Sequence, residues 1–183
     1  MMLEQARSQL LIVDMQERLV PAMARPEHVE ARCLLLAEAA QRLGVPALFS
    51  QQYPKGLGPT LPSLLAAVLE PVVHDKLSFS CAREPALRDL IDVRSAAGRD
   101  QLVVAGVEAH VCVLQTVLDL VRPDLTVFVA ADATSSRAEE DRDRALARAA
   151  AHGAEVVTTE MVVFEWLERA GTDEFRVISK LVK

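Results

Sequence analysis

The chain has 183 residues, of which 51% are hydrophobic, 4% aromatic and 25% charged, with a formal net charge of −6. That length supports one domain, spanning residues 1–183, with a core built from Ala, Leu and Val. Acids and bases are mixed along the chain, which argues against a nucleic-acid partner or an anionic membrane, both of which call for a basic face.

No apolar run approaches the roughly 18–20 residues of a membrane span. The opening "MMLEQARSQLLIVDMQ" has an apolar stretch too short, and too soon followed by charge, for a secretion signal. The three cysteines, Cys33, Cys81 and Cys112, form neither a CxxC pair nor a zinc pattern. The expectation is a reduced, cytoplasmic chain with free thiols.

The first element is "QLLIV" (9–13), an apolar run without alternation, as in a parallel strand buried on both faces. Residues 27–43 place Val29, Cys33, Leu36, Ala40 and Leu43 at helical spacing, and Gly44 ends that helix. "VPALFSQ" (45–51) is the second strand, and "QQYPKGLGPTLPS" (51–63) reads as a loop from its prolines and glycines. "VVHDK" (72–76) is a short third strand, a helix closes on Gly98, and "DQLVVAG" (100–106) is the fourth strand. A helix over 109–121 follows, then "LTVFVA" (125–130) as the fifth strand. The helix ending at Gly153 has Ser136 and Glu139 at capping-box spacing. A sixth strand, "EVVTT", and two helices, "EMVVFEWLERAG" and "TDEFRVISKLVK", complete the chain. This βαβα rhythm predicts a parallel sheet with helices on both faces.

In such sheets ligands bind beyond the carboxyl ends of the strands. The polar residues standing there are therefore the candidates. Asp14 follows the first strand directly, where desolvation favours proton-transfer work, although a loop anchor would look the same. Lys76 ends the third strand, either as a surface charge or as the partner of a carboxylate or thiolate. Cys112 stands near the start of an apolar helix, where backbone N–H groups would depress its pKa and could form an oxyanion hole. A free cysteine in such a helix is also an ordinary core residue. A Cys112–His74 dyad ranks below the Asp14–Lys76–Cys112 set, whose members end three different strands.

"LLIVDMQ", "HDKLSFS" and "VVAGVEAHVCVLQT", in this order, with the later "ADATSSR", resemble the isochorismatase-like cysteine hydrolases over about Leu10 to Val157. "QQYPKGLGPT" resembles, more narrowly, the isochorismatase domain-containing proteins. The resemblance implies a Rossmann-like three-layer α/β sandwich with a six-stranded parallel sheet. It also implies an Asp14, Lys76, Cys112 triad and a cis peptide at Val107–Glu108 that helps the Glu108 and Cys112 N–H groups bind an oxyanion.

The implied chemistry is hydrolysis of a small amide through a thioester. Gln16, Tyr53, Phe79 and His110 are the expected substrate contacts. The family's nicotinamidases carry an Asp/His metal cluster where this chain reads "SQQYPKG", so neither a metal nor any other cofactor is expected and nicotinamide is disfavoured. Isochorismate is disfavoured too, because true isochorismatases lack the cysteine. A small-molecule substrate and a homo-oligomer are the expected partners. The alternative is an inactive family member acting as an interaction scaffold, with the apolar "VLQTVLDLV" helix as its interface. A nucleotide-binding protein is disfavoured, since no glycine-rich phosphate loop follows any strand.

Overall fold

The computed structural model describes residues 1–182. Six parallel strands form the sheet: β1 (Ser8–Val13), β2 (Ala47–Gln52), β3 (Val73–Lys76), β4 (Gln101–Val107), β5 (Thr126–Ser135) and β6 (Glu155–Val157). Their order is β3-β2-β1-β4-β5-β6. The chain runs outward from β1 to β3, then returns to place β4 on the other side of β1. The topological switch therefore lies between β1 and β4, where parallel sheets open their binding crevice.

Each central strand feeds two cores. Leu10 and Ile12 of β1 pack on one face with Phe49, Val103 and Phe128. Leu11 and Val13 pack on the other with Leu48, Val104 and Val127. Both faces are covered, so the strand shows no polar alternation. The first face carries α1 (Pro26–Leu43), α7 (Thr159–Leu167) and α8 (Asp173–Leu181); the second carries α4 (Pro85–Ala96), α5 (Leu114–Leu120) and α6 (Glu139–Ala151). This is a three-layer α/β sandwich. No helix among the described residues is long and apolar enough to cross a membrane.

Several boundaries differ from the sequence expectation. The stretch after β2 is not a plain loop: it folds into α2 (Pro54–Leu57) and α3 (Pro62–Ala66), each with proline in its first turn. Proline loses nothing there, because the first N–H groups of a helix have no internal partner. β5 extends through "ADATS" to Ser135. "EVVTT" divides: Thr158 leaves the strand and caps α7, its hydroxyl accepting from the Met161 N–H at 3.2 Å. Ser136 does not cap α6, whose N-cap is Ala138; its hydroxyl lies 3.0 Å from His110 Nδ1 instead. The final helix is α8, and Lys183, the last residue of the segment read as helix, lies outside the described residues.

The helix after β4 begins as a π-turn, Ala109–Val113, before settling into α5. Leu114, Thr116, Val117 and Leu120 of α5 are buried in the chain's own core. The apolar circumference expected to serve as an interface is thus used internally, because α5 is packed between the sheet and its neighbouring helices.

Candidate active site

Three non-glycine residues with left-handed backbone stand just after strands: Asp14 (φ 54°) after β1, Tyr53 (φ 38°) after β2 and Glu108 (φ 56°) after β4. Such conformations cost roughly 1–3 kcal/mol each and cluster where a fold must aim groups into a site. Each reverses the chain as it leaves the sheet, and together they rim the switch point. The Val107–Glu108 peptide is trans, since no cis peptide occurs among the described residues. The expected cis bond is therefore replaced by a left-handed Glu108, which makes the turn with a trans peptide.

Lys76, the last residue of β3, reaches across β2 to Asp14. Its Nζ donates to Asp14 Oδ2 at 2.7 Å, and both side chains are fully buried. It also donates to Gln52 Oε1 at 2.7 Å and to the Phe79 carbonyl at 3.1 Å. An ammonium has three protons, and each has a protein acceptor. Burial opposes the charge, but the Asp14 carboxylate outweighs that and raises the Lys76 pKa. The other carboxylate oxygen, Asp14 Oδ1, accepts from Ser50 Oγ at 2.7 Å, which fixes the plane of the group.

Cys112 is the fourth residue of the π-turn and is 3% exposed. The hydrogen bonds tying this turn back to the Glu108 carbonyl come from Val111 N–H at 2.9 Å and Val113 N–H at 3.3 Å, passing over Cys112. Burial first, and then the Asp14 carboxylate, push the Cys112 thiol well above the ordinary thiol range, against a downward pull from Lys76. This reverses the depressed pKa expected from helix position, because desolvation and a facing anion outweigh the helix terminus. Burial and the buried carboxylate thus both favour the neutral thiol.

Cys81 shares these surroundings. Burial and then Asp14 raise its pKa, and its N–H donates to Thr116 Oγ1 at 2.9 Å, which in turn donates to the Cys112 carbonyl at 2.7 Å. Cys33 lies in the other core, its thiol donating to the Ala133 carbonyl at 3.4 Å. His74 sits opposite Ser50 on β3 and makes no side-chain hydrogen bond among the described residues, so no dyad with Cys112 is assembled.

The expected substrate contacts separate. Gln16 is buried, and its amide braces the Gln52 and Gly58 backbone, with Nε2 donating at 3.0 and 2.7 Å and Oε1 accepting from Gln52 N–H at 2.7 Å. Tyr53 and Phe79 are 51% and 53% exposed at the rim, with Leu77 at 74% beside them. A cavity of about 540 Å³ there is lined by Tyr53, Pro54, Asp75, Lys76, Leu77 and Glu84. His110 Nδ1 lies 3.0 Å from Ser136 Oγ and 3.7 Å from Glu108 Oε2, and Arg137 Nε pairs with Glu108 Oε1 at 2.9 Å. Among the described residues, no three His, Cys, Asp or Glu side chains converge as metal ligands.

Gln52 and Ser50 join the site although neither is among the expected site residues. Gln52 is in register with Lys76 and joins it to the Leu77 carbonyl through its Nε2 at 2.9 Å. Replacing it with Leu removes one acceptor of a buried cation. The expected loss is roughly 1.5–3 kcal/mol, the range for hydrogen bonds to charged groups, read by urea denaturation. A loss below about 0.5 kcal/mol, the level of an ordinary surface change, would show that Gln52 does not restrain Lys76.

An isochorismatase domain model matches residues 8–161. The chain is 37% identical over 175 residues to the zebrafish (Danio rerio) isochorismatase domain-containing protein 2, covering 96% of this chain and 86% of that one. Its fold matches the MAR1 ribonuclease of Caenorhabditis elegans at a TM-score of 0.91 and 31% identity, over 100% of this chain and 92% of that one. It also matches the Escherichia coli YcaC gene product, described as an octameric hydrolase of unknown specificity, at a TM-score of 0.91 and 22% identity, over 98% and 90% of the two chains. The family model spans most of the chain, including every strand end that frames the Asp14–Lys76 pair, and the chain belongs to the isochorismatase family.

Proposed function

We propose that the protein hydrolyses a small amide through a thioester on Cys112. The supporting observation is the fully buried Asp14–Lys76 pair at 2.7 Å, whose charges both act on the Cys112 thiol. An isolated anion is costly to create in such a site. When the thiol proton passes to Asp14, the negative charge moves from carboxylate to sulfur while Lys76 stays beside both. The net charge of the group is unchanged.

The sulfur then attacks the amide carbonyl, with the Cys112 and Glu108 N–H groups receiving the oxyanion. The C–N bond breaks as the leaving nitrogen takes the proton from Asp14, giving ammonia or an amine and the Cys112 thioester. Water attacks the thioester with Asp14 as base, releasing the acid and restoring the thiol. No metal or cofactor takes part. Three free thiols fit a reducing, cytoplasmic setting. Exposed Tyr53, Leu77 and Phe79 at the rim make a second copy of the chain the natural cover.

Ammonia release from a panel of primary amides tests the reading. The expected result is turnover that falls by at least a hundredfold in Cys112→Ala. Turnover that survives this change would refute it. A second reading, an interaction protein without turnover, is favoured by the 3% exposure of Cys112. It predicts no release from any amide and a partner retained equally by wild type and Cys112→Ala. The ribonuclease activity named for the nematode relative gives a third arm. RNA cleavage is expected to be absent, since the net charge of −6 opposes a polyanion.

A further inference from the structure

At the opposite end of the sheet, where β2 and β3 begin, lies an apolar cavity of about 590 Å³. This volume falls within the usual range for small-molecule sites. Its walls include Ala40 at the end of α1, Val45 and Ala47 leading into β2, and Val68 and Val72 before β3. Leu69, 78% exposed, stands at the rim.

The one cation lining this cavity is Arg94, near the C-terminus of α4. Its Nη1 is buried without a partner, and the guanidinium makes no hydrogen bond or ion pair among the described residues. Desolvation, and then the like charge of Arg99, disfavour its charged form. Arg99 is fixed in place by its own donors, which go to the Ser8 and Gly44 carbonyls at 2.7 and 3.2 Å. Glu70 also lines the cavity but forms no ion pair with Arg94. A half-buried guanidinium is a planar fork of donors that matches a carboxylate.

We propose that this cavity is a second ligand site, which binds a small aliphatic monocarboxylate with its chain against Val45, Val68 and Val72 and its carboxylate on Arg94. The site stands at the amino ends of the strands, whereas Asp14, Gln52 and Lys76 stand at the carboxyl ends. It is therefore separate from the Cys112 site and does not depend on the reaction proposed there.

Isothermal titration of the full chain with octanoate tests this, with octan-1-ol and octylamine as probes of equal chain length. The expected result is one octanoate per chain, with the alcohol and amine bound at least tenfold more weakly. Arg94→Met should weaken octanoate at least tenfold, and Arg94→Lys should fall between, because it keeps the charge and loses the fork. Near-UV circular dichroism identical to wild type establishes that both variants are folded. Several results would overturn the proposal. These are no octanoate binding by wild type, equal binding of octanol, equal binding by Arg94→Met, or binding that disappears in Cys112→Ala. It would also be overturned if octanoate failed to bind and Leu69→Asp dissolved an oligomer seen by sedimentation, since the cavity would then be a contact between copies.

Discussion

Asp14→Asn is expected to alkylate faster than wild type at Cys112 and yet to lose turnover. After burial, Asp14 is the main influence holding the thiol neutral, and Lys76 is the main influence opposing it. Without the carboxylate, Lys76 is left an unpaired buried cation, which favours the Cys112 thiolate. One nearby charge shifts a pKa by about a unit or more, so iodoacetamide labelling at pH 8 should rise on the order of tenfold. Lys76→Met should act in the opposite direction by a similar factor, since Asp14 would then face the sulfur unopposed.

Both variants should lose amide turnover, Asp14→Asn by about 10²–10⁴-fold because the general base is gone. In wild type, the raised thiol pKa means that labelling should climb about tenfold per pH unit from 7 to 9 without levelling off. Peptide-resolved mass spectrometry separates Cys112 from Cys33 and Cys81. Equal labelling in the two variants would mean that the buried pair does not control the sulfur. Removing either partner leaves an unpaired buried charge costing about 3–5 kcal/mol, so labelling is measured on protein whose near-UV spectrum matches wild type.

Gly106→Ala should destabilise the protein more than any other glycine substitution. Gly106 has φ +127° and lies in β4 beside the end of β1, and a Cβ there would stand 2.1 Å from Val13 O and 2.6 Å from Val13 N. These are backbone atoms of a central strand, so no side-chain rotation relieves the contact. The β4–β5 register also shifts between Val104 and Gly106, which shows that the ladder bends here. The expected cost is about 4–5 kcal/mol or more, enough to remove most of a domain's stability. Gly98→Ala is the control. Its φ is +95°, but nothing lies within 4 Å, so only the backbone penalty of about 1–2 kcal/mol applies. Urea midpoints that fall equally in both would show that β1 and β4 are not so closely apposed. The consequence reaches the site, because Asp14 is the next residue after Val13.

The residues of the site that could be read from sequence are those that break an apolar run. "LLIVD" places Asp14 at the end of a strand buried on both faces, where it stands out, whereas "VVHDK" places Lys76 at the end of a half-exposed edge strand, of which Lys76 alone is buried. Gln52 stands among the polar residues after the second strand, but nothing in the sequence singles it out from Gln51 beside it. Its register opposite Lys76 is a property of strand pairing, which is a tertiary fact. The thiol of Cys112 was misjudged for a related reason. Position near a helix start is visible in sequence, whereas the depth of burial and the facing carboxylate are not.

Local rules failed where packing overrode them. Ser136 and Glu139 have capping-box spacing, but β5 runs on to Ser135 and Ser136 is drawn to His110, so the helix starts at Glu139 with Ala138 as its N-cap and no side-chain cap. The apolar face of α5 looked free in sequence because the core that covers it gathers residues from Leu11 to Ala154, which only the folded chain brings together. The short helices α2 and α3 did carry a legible signal in Pro54 and Pro62, residues that start helices as readily as they interrupt them.

In the proposed reaction Cys112 carries the acyl group. The direct measurement is the peptide mass map of the protein quenched in acid during steady turnover of an amide that releases ammonia. The expected result is an added acyl mass on the Cys112 peptide, absent from the Cys33 and Cys81 peptides, and discharged by hydroxylamine as a thioester is. Sustained turnover with no adduct on Cys112, or with the adduct on Cys81, would contradict it.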